Sequence, residues 1–375
     1  MTHIIAKHML TGDVCAVKNT GGQWRMAMTD QAPDPDVFVS PGWIDIQVNG
    51  FAGGDFNAAD ATPETAAHIV ARLAGEGVAQ CLPTVITQSR EHMAHCLNAI
   101  ARAMAQNATV RDAIAGIHLE GPWISPADGA RGAHPLAHVQ VPDWDVFQRL
   151  QDAAQGHIKL VTLAPELDGA LPLIEQLVSA GVVVALGHTL ATTQIITAAV
   201  SAGATLSTHL GNGAPAMLPR HPNMIWDQLA DDRLFASAIF DGHHLPASVM
   251  RVLAKVKGAA RLILTSDAVA LARMPPGIYT TTIGGKVELR ADGRLSVLGT
   301  PYLAGSGVFT DSCISHLLNC IDELPMRDGF EMACINPRRL LNLPVPEIRV
   351  GTHTSELILF TWQKGNQIGL LTEFC

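Results

Sequence analysis

Four side chains of this sequence have types suited to joint chemistry: Glu120, His188, His209 and Asp267. Each closes, or nearly closes, a separate apolar and β-prone run: Ala115–Glu120, Val182–His188, Thr205–Leu210 and Leu262–Asp267. Taken singly, each has an ordinary explanation. A strand-end Glu is most often salt-bridged to Lys or Arg, and a His closing an apolar run is most often a satisfied structural residue. A carboxylate delivered to the end of a buried strand is nevertheless costly unless paired, protonated or bound to a cation. One carboxylate and two neutral imidazoles are ligand types of a catalytic zinc site, with a position left open for water. Such an ion acidifies its water and polarises a carbonyl. Asp267 would then take the water's proton and hand it to the leaving group. That chemistry is hydrolysis of an amide or ester.

The four residues meet only if the fold brings their strands to one rim. Between residues 41 and 341, apolar strand-like runs alternate with helical patterns. The strands are Trp43–Val48, Cys81–Ile86, Ala115–Glu120, Ile158–Ala164, Val182–His188, Thr205–Leu210, Phe235–Phe240 and Leu262–Asp267. Helical patterns fall at Thr62–Glu76, Arg90–Gln106, Asp143–Ala154, Gly169–Ala180, Ala191–Ala202 and Pro246–Val256. Eight such repeats predict an α/β fold, a closed (β/α)8 TIM-like barrel, whose active sites lie at the carboxyl ends of the strands. An open doubly wound sheet is the alternative, but no GxGxxG follows the first strand. The chain ends, residues 1–40 and 342–375, read as short strands too small for separate cores. They predict one small β-sandwich domain built from both termini. The long segment Gly211 to Asp232 and a β-like insert from Tyr279 to Val297 are expected over the barrel mouth.

Composition agrees with a large enzyme domain. Of 375 residues, 48% are hydrophobic and 16% charged, enough for an extensive core. The net charge of −9 and the absence of basic runs argue against nucleic acid as a partner. No apolar run reaches the roughly 20 residues of a membrane span. Seven scattered Cys without a CxxC predict a reduced, cytoplasmic compartment. No GxSxG, P-loop or HExxH is present, and lone Ser or Cys residues show no nearby base in a recognisable pattern, which argues against a covalent nucleophile.

With these residues placed, the chain resembles the N-acetylglucosamine-6-phosphate deacetylases of the amidohydrolase superfamily. The resemblance runs from about Pro41 to Gly307 and is carried by Pro41-Gly-Trp-Ile-Asp-Ile-Gln-Val-Asn-Gly50, His118-Leu-Glu-Gly-Pro-Trp123, Leu186-Gly-His-Thr189, Thr208-His-Leu-Gly-Asn212, Asp241-Gly-His-His244 and Thr265-Ser-Asp-Ala268. It implies removal of the acetyl group from N-acetylglucosamine 6-phosphate, with Asp267 as the catalytic acid–base. Many superfamily members end their first strand in HxH and hold a second metal there. This chain has Gln47 and Asn49 instead, and amides are poor zinc ligands beside imidazole or carboxylate. The expectation is one divalent ion per chain, zinc by ligand type, held by Glu120, His188 and His209.

The resemblance also implies substrate contacts at Ala133, His134, Asn212, Gly213, Arg220, His244, Leu303, Ala304 and Gly305. Arg220 and His244 match phosphate contacts. Because the family's Arg reaches a neighbouring site, a homodimer is implied. Where the family has Asn-Ala-Met, this chain reads Asn212-Gly-Ala-Pro215, so an epimer such as N-acetylgalactosamine 6-phosphate stays open as substrate. A different N-acyl substrate, or a metal-stabilised binding protein without activity, are the other readings.

Overall fold

The computed structural model describes residues 3–20, 23–281, 285–345 and 357–371. Its centre is an eight-stranded sheet: β1 (Trp43–Val48), β2 (Val78–Ile86), β3 (Ile117–Glu120), β4 (Ile158–Leu163), β5 (Val183–Leu186), β6 (Leu206–Ser207), β7 (Phe235–Ile239) and β8 (Leu262–Thr265). The strands lie side by side in chain order and every neighbouring pair is parallel. The ring closes where Asn49 N–H donates to Ala268 O at 2.8 Å, beside a parallel bridge between Val48 and Ala268. This is the predicted TIM-like barrel.

The interior is built in layers. Ile44, Ile46, Leu82, Leu160, Ala185, Leu206 and Ile263 pack as one apolar cluster closed by Leu340. Above them lie polar groups: His118 Nε2 is 2.7 Å from Thr162 Oγ1, which is 2.7 Å from Thr208 Oγ1. Strand residues alternate faces, so Glu120, two positions beyond His118, projects on the same inner side one layer higher. The sequence therefore lifts its carboxylate to the rim by simple alternation.

Helices between the strands cover the outside. Pro63–Ala74 starts with the expected Thr62-Pro63 signal, and Thr62 and Thr65 form a reciprocal capping box. The predicted strand Thr205–Leu210 is shorter, Leu206–Ser207, because the chain leaves the sheet and His209 takes a φ of 30°. The segment after it contains a helix, Met224–Ala230, that hydrophobic periodicity missed. Asn223 Oδ1 caps it by accepting from Ile225 N and Trp226 N. The helix expected at Pro246–Val256 spans Ala247–Arg261, broken at Gly258 with φ 63°.

Strands from both chain ends join in a six-stranded sheet. Val37–Pro41 lies antiparallel to Leu357–Thr361 and parallel to Ile4–His8, tying the two termini together. Ala6, Cys15, Val17, Met26, Val39, Leu357 and Leu359 pack in their own cluster, apart from the barrel core. Residues 346–356 and 372–375 of the C-terminal portion lie outside the described residues. The expected insert is a three-stranded antiparallel sheet, Gly277–Thr281, Gly285–Leu289 and Leu295–Val297. No helix among the described residues is long and apolar enough to cross a membrane.

Candidate active site

The barrel rim brings Glu120, His188 and His209 into contact. Glu120 Oε1 lies 3.2 Å from His188 Nε2 and 3.0 Å from His209 Nε2, and the two Nε2 atoms are 3.2 Å apart. His188 Nδ1 is 2.9 Å from Ala130 O, and a carbonyl only accepts, so Nδ1 carries a hydrogen and Nε2 is the ring atom turned towards Glu120 and His209. Two imidazole nitrogens and a carboxylate oxygen at this spacing need positive charge between them. Tetrahedral zinc with ligands at about 2.0–2.1 Å places neighbouring donor atoms about 3.3 Å apart. The donor set therefore fits a divalent ion. Burial opposes the charge on Glu120, and its bonds to His188 and His209 outweigh that, holding the carboxyl well below its ordinary range.

The backbone at these positions is unusual. His188, His209 and Asp267 have φ of 51°, 30° and 51°, a left-handed region that non-glycine residues seldom occupy. Such conformations persist where surrounding structure holds them, and they gather at functional sites. Here Glu166 clasps the turn after His188 by accepting from Thr189 Oγ1 and, at 2.6 Å, from Leu190 N. Asp45, fully buried at the foot of the site, accepts from Thr265 Oγ1 (2.7 Å), Thr310 Oγ1 (2.8 Å) and Ser266 N (3.1 Å), which fixes the turn into Asp267.

A cavity of about 440 Å³ opens above the cluster. Among the predicted residues, Glu120, His188, His209, Asp267, Asn49, Ala133, His134, Asn212, Gly213, His244, Leu303, Ala304 and Gly305 all line it. Leu303 to Gly305 follow the inserted sheet, to which Ala304 N is bonded through Leu295 O (3.1 Å). Gly213 presses on the His188 imidazole: a Cβ there would stand 2.8 Å from His188 Nδ1, and φ is +60°. His134 Nδ1 lies 2.9 Å from Thr87 Oγ1, and burial, with His188 adding to it, pushes its pKa down to about 3. One ligand atom each from Glu120, His134 and His188 falls within 4.8 Å of the others. His209 completes the tighter set, since its Nε2 is at 3.0 and 3.2 Å from the other two donors.

Two predicted residues sit elsewhere. Gln47 lies beneath the cavity, with Nε2 donating to Glu120 Oε1 at 3.0 Å. Arg220 is exposed on the loop after β6 and does not line its own chain's cavity. From sequence, Gln47 and Asn49 are expected only as lost metal positions, and the structure shows more. Asn49 Nδ2 donates to Asp267 Oδ1 at 2.8 Å, so each amide holds one carboxylate. Their i, i+2 spacing at a strand end was the available signal, because it puts both on one side of the chain. Thr87, Asp45 and Asp55, the last on the cavity wall, were missed for want of any local pattern.

Asp267 faces the cavity with protein on its other sides. Burial, then the negative charge of Glu120, push its pKa up to about 6, against the lowering influence of His209, His244 and the Asn49 hydrogen bond. A carboxyl tuned towards neutrality beside a metal-type donor set suits proton transfer.

Known proteins are similar to this chain in sequence and in fold. The amidohydrolase family model matches residues 38–370. An N-acetylglucosamine-6-phosphate deacetylase from Bos taurus is 35% identical, over 84% of this chain and 76% of that one. An N-acetylgalactosamine-6-phosphate deacetylase from Escherichia coli O157:H7 is 32% identical, over 81% and 78%. The crystal structure of N-acetyl-D-glucosamine-6-phosphate deacetylase from Mycobacterium smegmatis superposes with a TM-score of 0.84 at 29% identity, covering 99% of this chain and 98% of that one. The chain belongs to the amidohydrolase family, in its group of N-acetylglucosamine-6-phosphate deacetylases.

Proposed function

We propose that the chain hydrolyses the acetamide of N-acetylglucosamine 6-phosphate to glucosamine 6-phosphate and acetate. The observation that carries this reading is the convergence of Glu120 Oε1, the Nε2 atoms of His188 and His209, and the Asp267 carboxyl on one cavity. Glu120, His188 and His209 would hold one divalent ion, zinc by the chemistry of the donors. When bound, that ion supplies an acidified water and an electrophile for the acyl oxygen. Asp267 accepts the water's proton and returns it to the departing amine. His134, tethered through Nδ1 to Thr87, keeps Nε2 for the acetyl group. Leu303 to Gly305 cover the sugar and exclude water.

Metal dependence has a direct check. Stripping with a chelator should abolish deacetylation and lower Tm, and one equivalent of zinc per chain should restore both. Elemental analysis showing two tightly held equivalents would contradict a single site, since Gln47 and Asn49 present amide hydrogens where a second ion would need lone pairs.

The phosphate end involves a second copy of the chain. In this reading Arg220 is delivered to the neighbouring cavity of a homodimer. Its own cavity lacks it, and its loop carries Met217, 89% exposed, a side chain suited to burial between subunits. Arg220→Ala should raise KM about tenfold or more, by loss of a charge-assisted pair, with a smaller change in kcat. Mixing and reassociating Arg220→Ala and Asp267→Asn proteins should recover activity at low substrate, because hybrids contain one complete site. No recovery would remove the shared-site arrangement. A cytoplasmic location is proposed with it, supported by six free cysteines among the described residues.

N-acetylgalactosamine 6-phosphate is the second reading, favoured by the Gly213 contact. The family's bulkier residue at this position is replaced by one that lets the loop approach His188 and so reshapes the sugar pocket. Relative kcat/KM on the two epimers decides between them.

A further inference from the structure

The charged groups around the cavity are mostly of one sign. Asp55, Glu120 and Asp267 line it, and no Lys or Arg does so among the described residues. Beside the Arg220 proposed to come from a second copy, an anionic substrate can meet only imidazoles as nitrogen-bearing ring donors on this chain's own wall. His188 and His209 are engaged with Glu120, and burial keeps His134 neutral. His244 is the remaining imidazole in the lining.

His244 is held by Asp241. Its Nδ1 is 2.7 Å from Asp241 Oδ2, while Asp241 Oδ1 accepts from the backbone N–H groups of His243 and His244, each at 2.8 Å. Between them, Gly242 at φ +81° passes so close to His316 that a Cβ would meet its ring at 3.0 Å. The turn is thus held from two sides, and both oxygens of a buried carboxylate are engaged in shaping it. Burial works against ionisation of Asp241, but the His244 ring and the two N–H groups outweigh it and leave its pKa at about 2. An ionised carboxylate only accepts, so Nδ1 of His244 carries a hydrogen and Nε2 is the ring's one remaining site. Among the described residues no hydrogen bond engages that Nε2.

We infer that Asp241 is a positioning residue for anion recognition: it fixes His244 through Nδ1 and thereby presents Nε2 of that ring to the phosphate of the substrate. The identity of the anion rests on the function proposed above. The simpler role for Asp241, a cap that shapes the turn, is separable from this one. Asp241→Asn keeps an oxygen for the two backbone donors but turns an amide N–H, itself a donor, towards His244 Nδ1.

The test compares wild type, Asp241→Asn, His244→Gln and the double variant on N-acetylglucosamine 6-phosphate and on unphosphorylated N-acetylglucosamine. Each single variant should raise KM for the phosphorylated sugar by about ten- to a hundredfold, the loss expected for a hydrogen bond to a charged group. The loss of kcat/KM on the unphosphorylated sugar should be smaller by about the same factor. The double variant should be no worse than His244→Gln alone, because Asp241 acts through that ring. Equal losses on both sugars, or additive losses in the double variant, would overturn the inference. A binding measurement separates this from the functional reading: inorganic phosphate should raise the Tm of the wild type and raise that of Asp241→Asn less. If no N-acetyl sugar phosphate is turned over, the proposed function fails. The phosphate shift still decides the role of Asp241, and an identical shift in both proteins would exclude it.

Discussion

Asp267→Asn should lower kcat by about 10³-fold or more, within the range attributed to positioned acid–base groups. The substitution is nearly isosteric and its amide oxygen can still accept from Asn49 Nδ2, now 2.8 Å from Asp267 Oδ1, so the local geometry survives. Metal content should be retained because the three proposed ligands are untouched. What disappears is the proton acceptor. KM should change little, since Asn still fills the space beside the substrate. The wild-type pH profile supplies the companion result. Burial, with Glu120 second, raises the Asp267 carboxyl to about 6, so the neutral acid persists to higher pH than for an ordinary Asp. A base must be ionised, and activity is therefore lost as pH falls through that region. A divalent ion bound nearby favours the carboxylate and moves the acid limb to lower pH, never higher. A variant within tenfold of wild-type kcat would remove Asp267 from the proton-transfer role.

How much of this site could be read from the chain follows from which interactions are local. Apolar runs ending in Glu120, His188 and Asp267 are legible because a strand that enters a barrel rim must stop there, and its final residue inherits the active-site face. His209 was placed correctly although its strand was drawn too long, for the imidazole sits where the chain leaves the sheet at φ 30°. The helix Met224–Ala230 was hidden inside a Pro- and Gly-rich stretch. It is only seven residues long and starts from an Asn cap rather than from a repeated apolar stripe. Long-range polar contacts were not legible at all. The hydrogen bonds from Asn49 to Asp267 and from Thr310 to Asp45 span 218 and 265 residues of sequence, and no local period announces them. Residue type can also mislead about role. Gln47 and Asn49 read as the remains of a discarded metal site, yet their amide hydrogens are directed at the two carboxylates on which the proposed chemistry depends.

That last geometry gives the second large effect, and the order of two variants carries the information. Asn49 ties Oδ1 of Asp267 and leaves its other oxygen for the proton. If Asn49 served only to fill space at the rim, Asn49→Asp, almost the same shape, should be milder than Asn49→Ala, which opens a hole. If its donor is what matters, the order reverses. Asn49→Ala loses one hydrogen bond to a charged group, about 1.5–3 kcal/mol, or roughly a ten- to hundredfold fall in kcat. Asn49→Asp places a second carboxylate at hydrogen-bond distance from Asp267, and two like charges so close must share a proton. Asp267 then spends most of its time protonated at neutral pH, and the fall in kcat should exceed about 10²-fold. The acid limb of the profile should move to higher pH in Asn49→Asp, and raising the pH should recover part of its activity. Metal content, measured on each protein, keeps loss of the ion distinct from loss of the base. Asn49→Asp more active than Asn49→Ala at pH 7, with metal intact in both, would show that the amide is packing rather than a hydrogen-bond donor to Asp267.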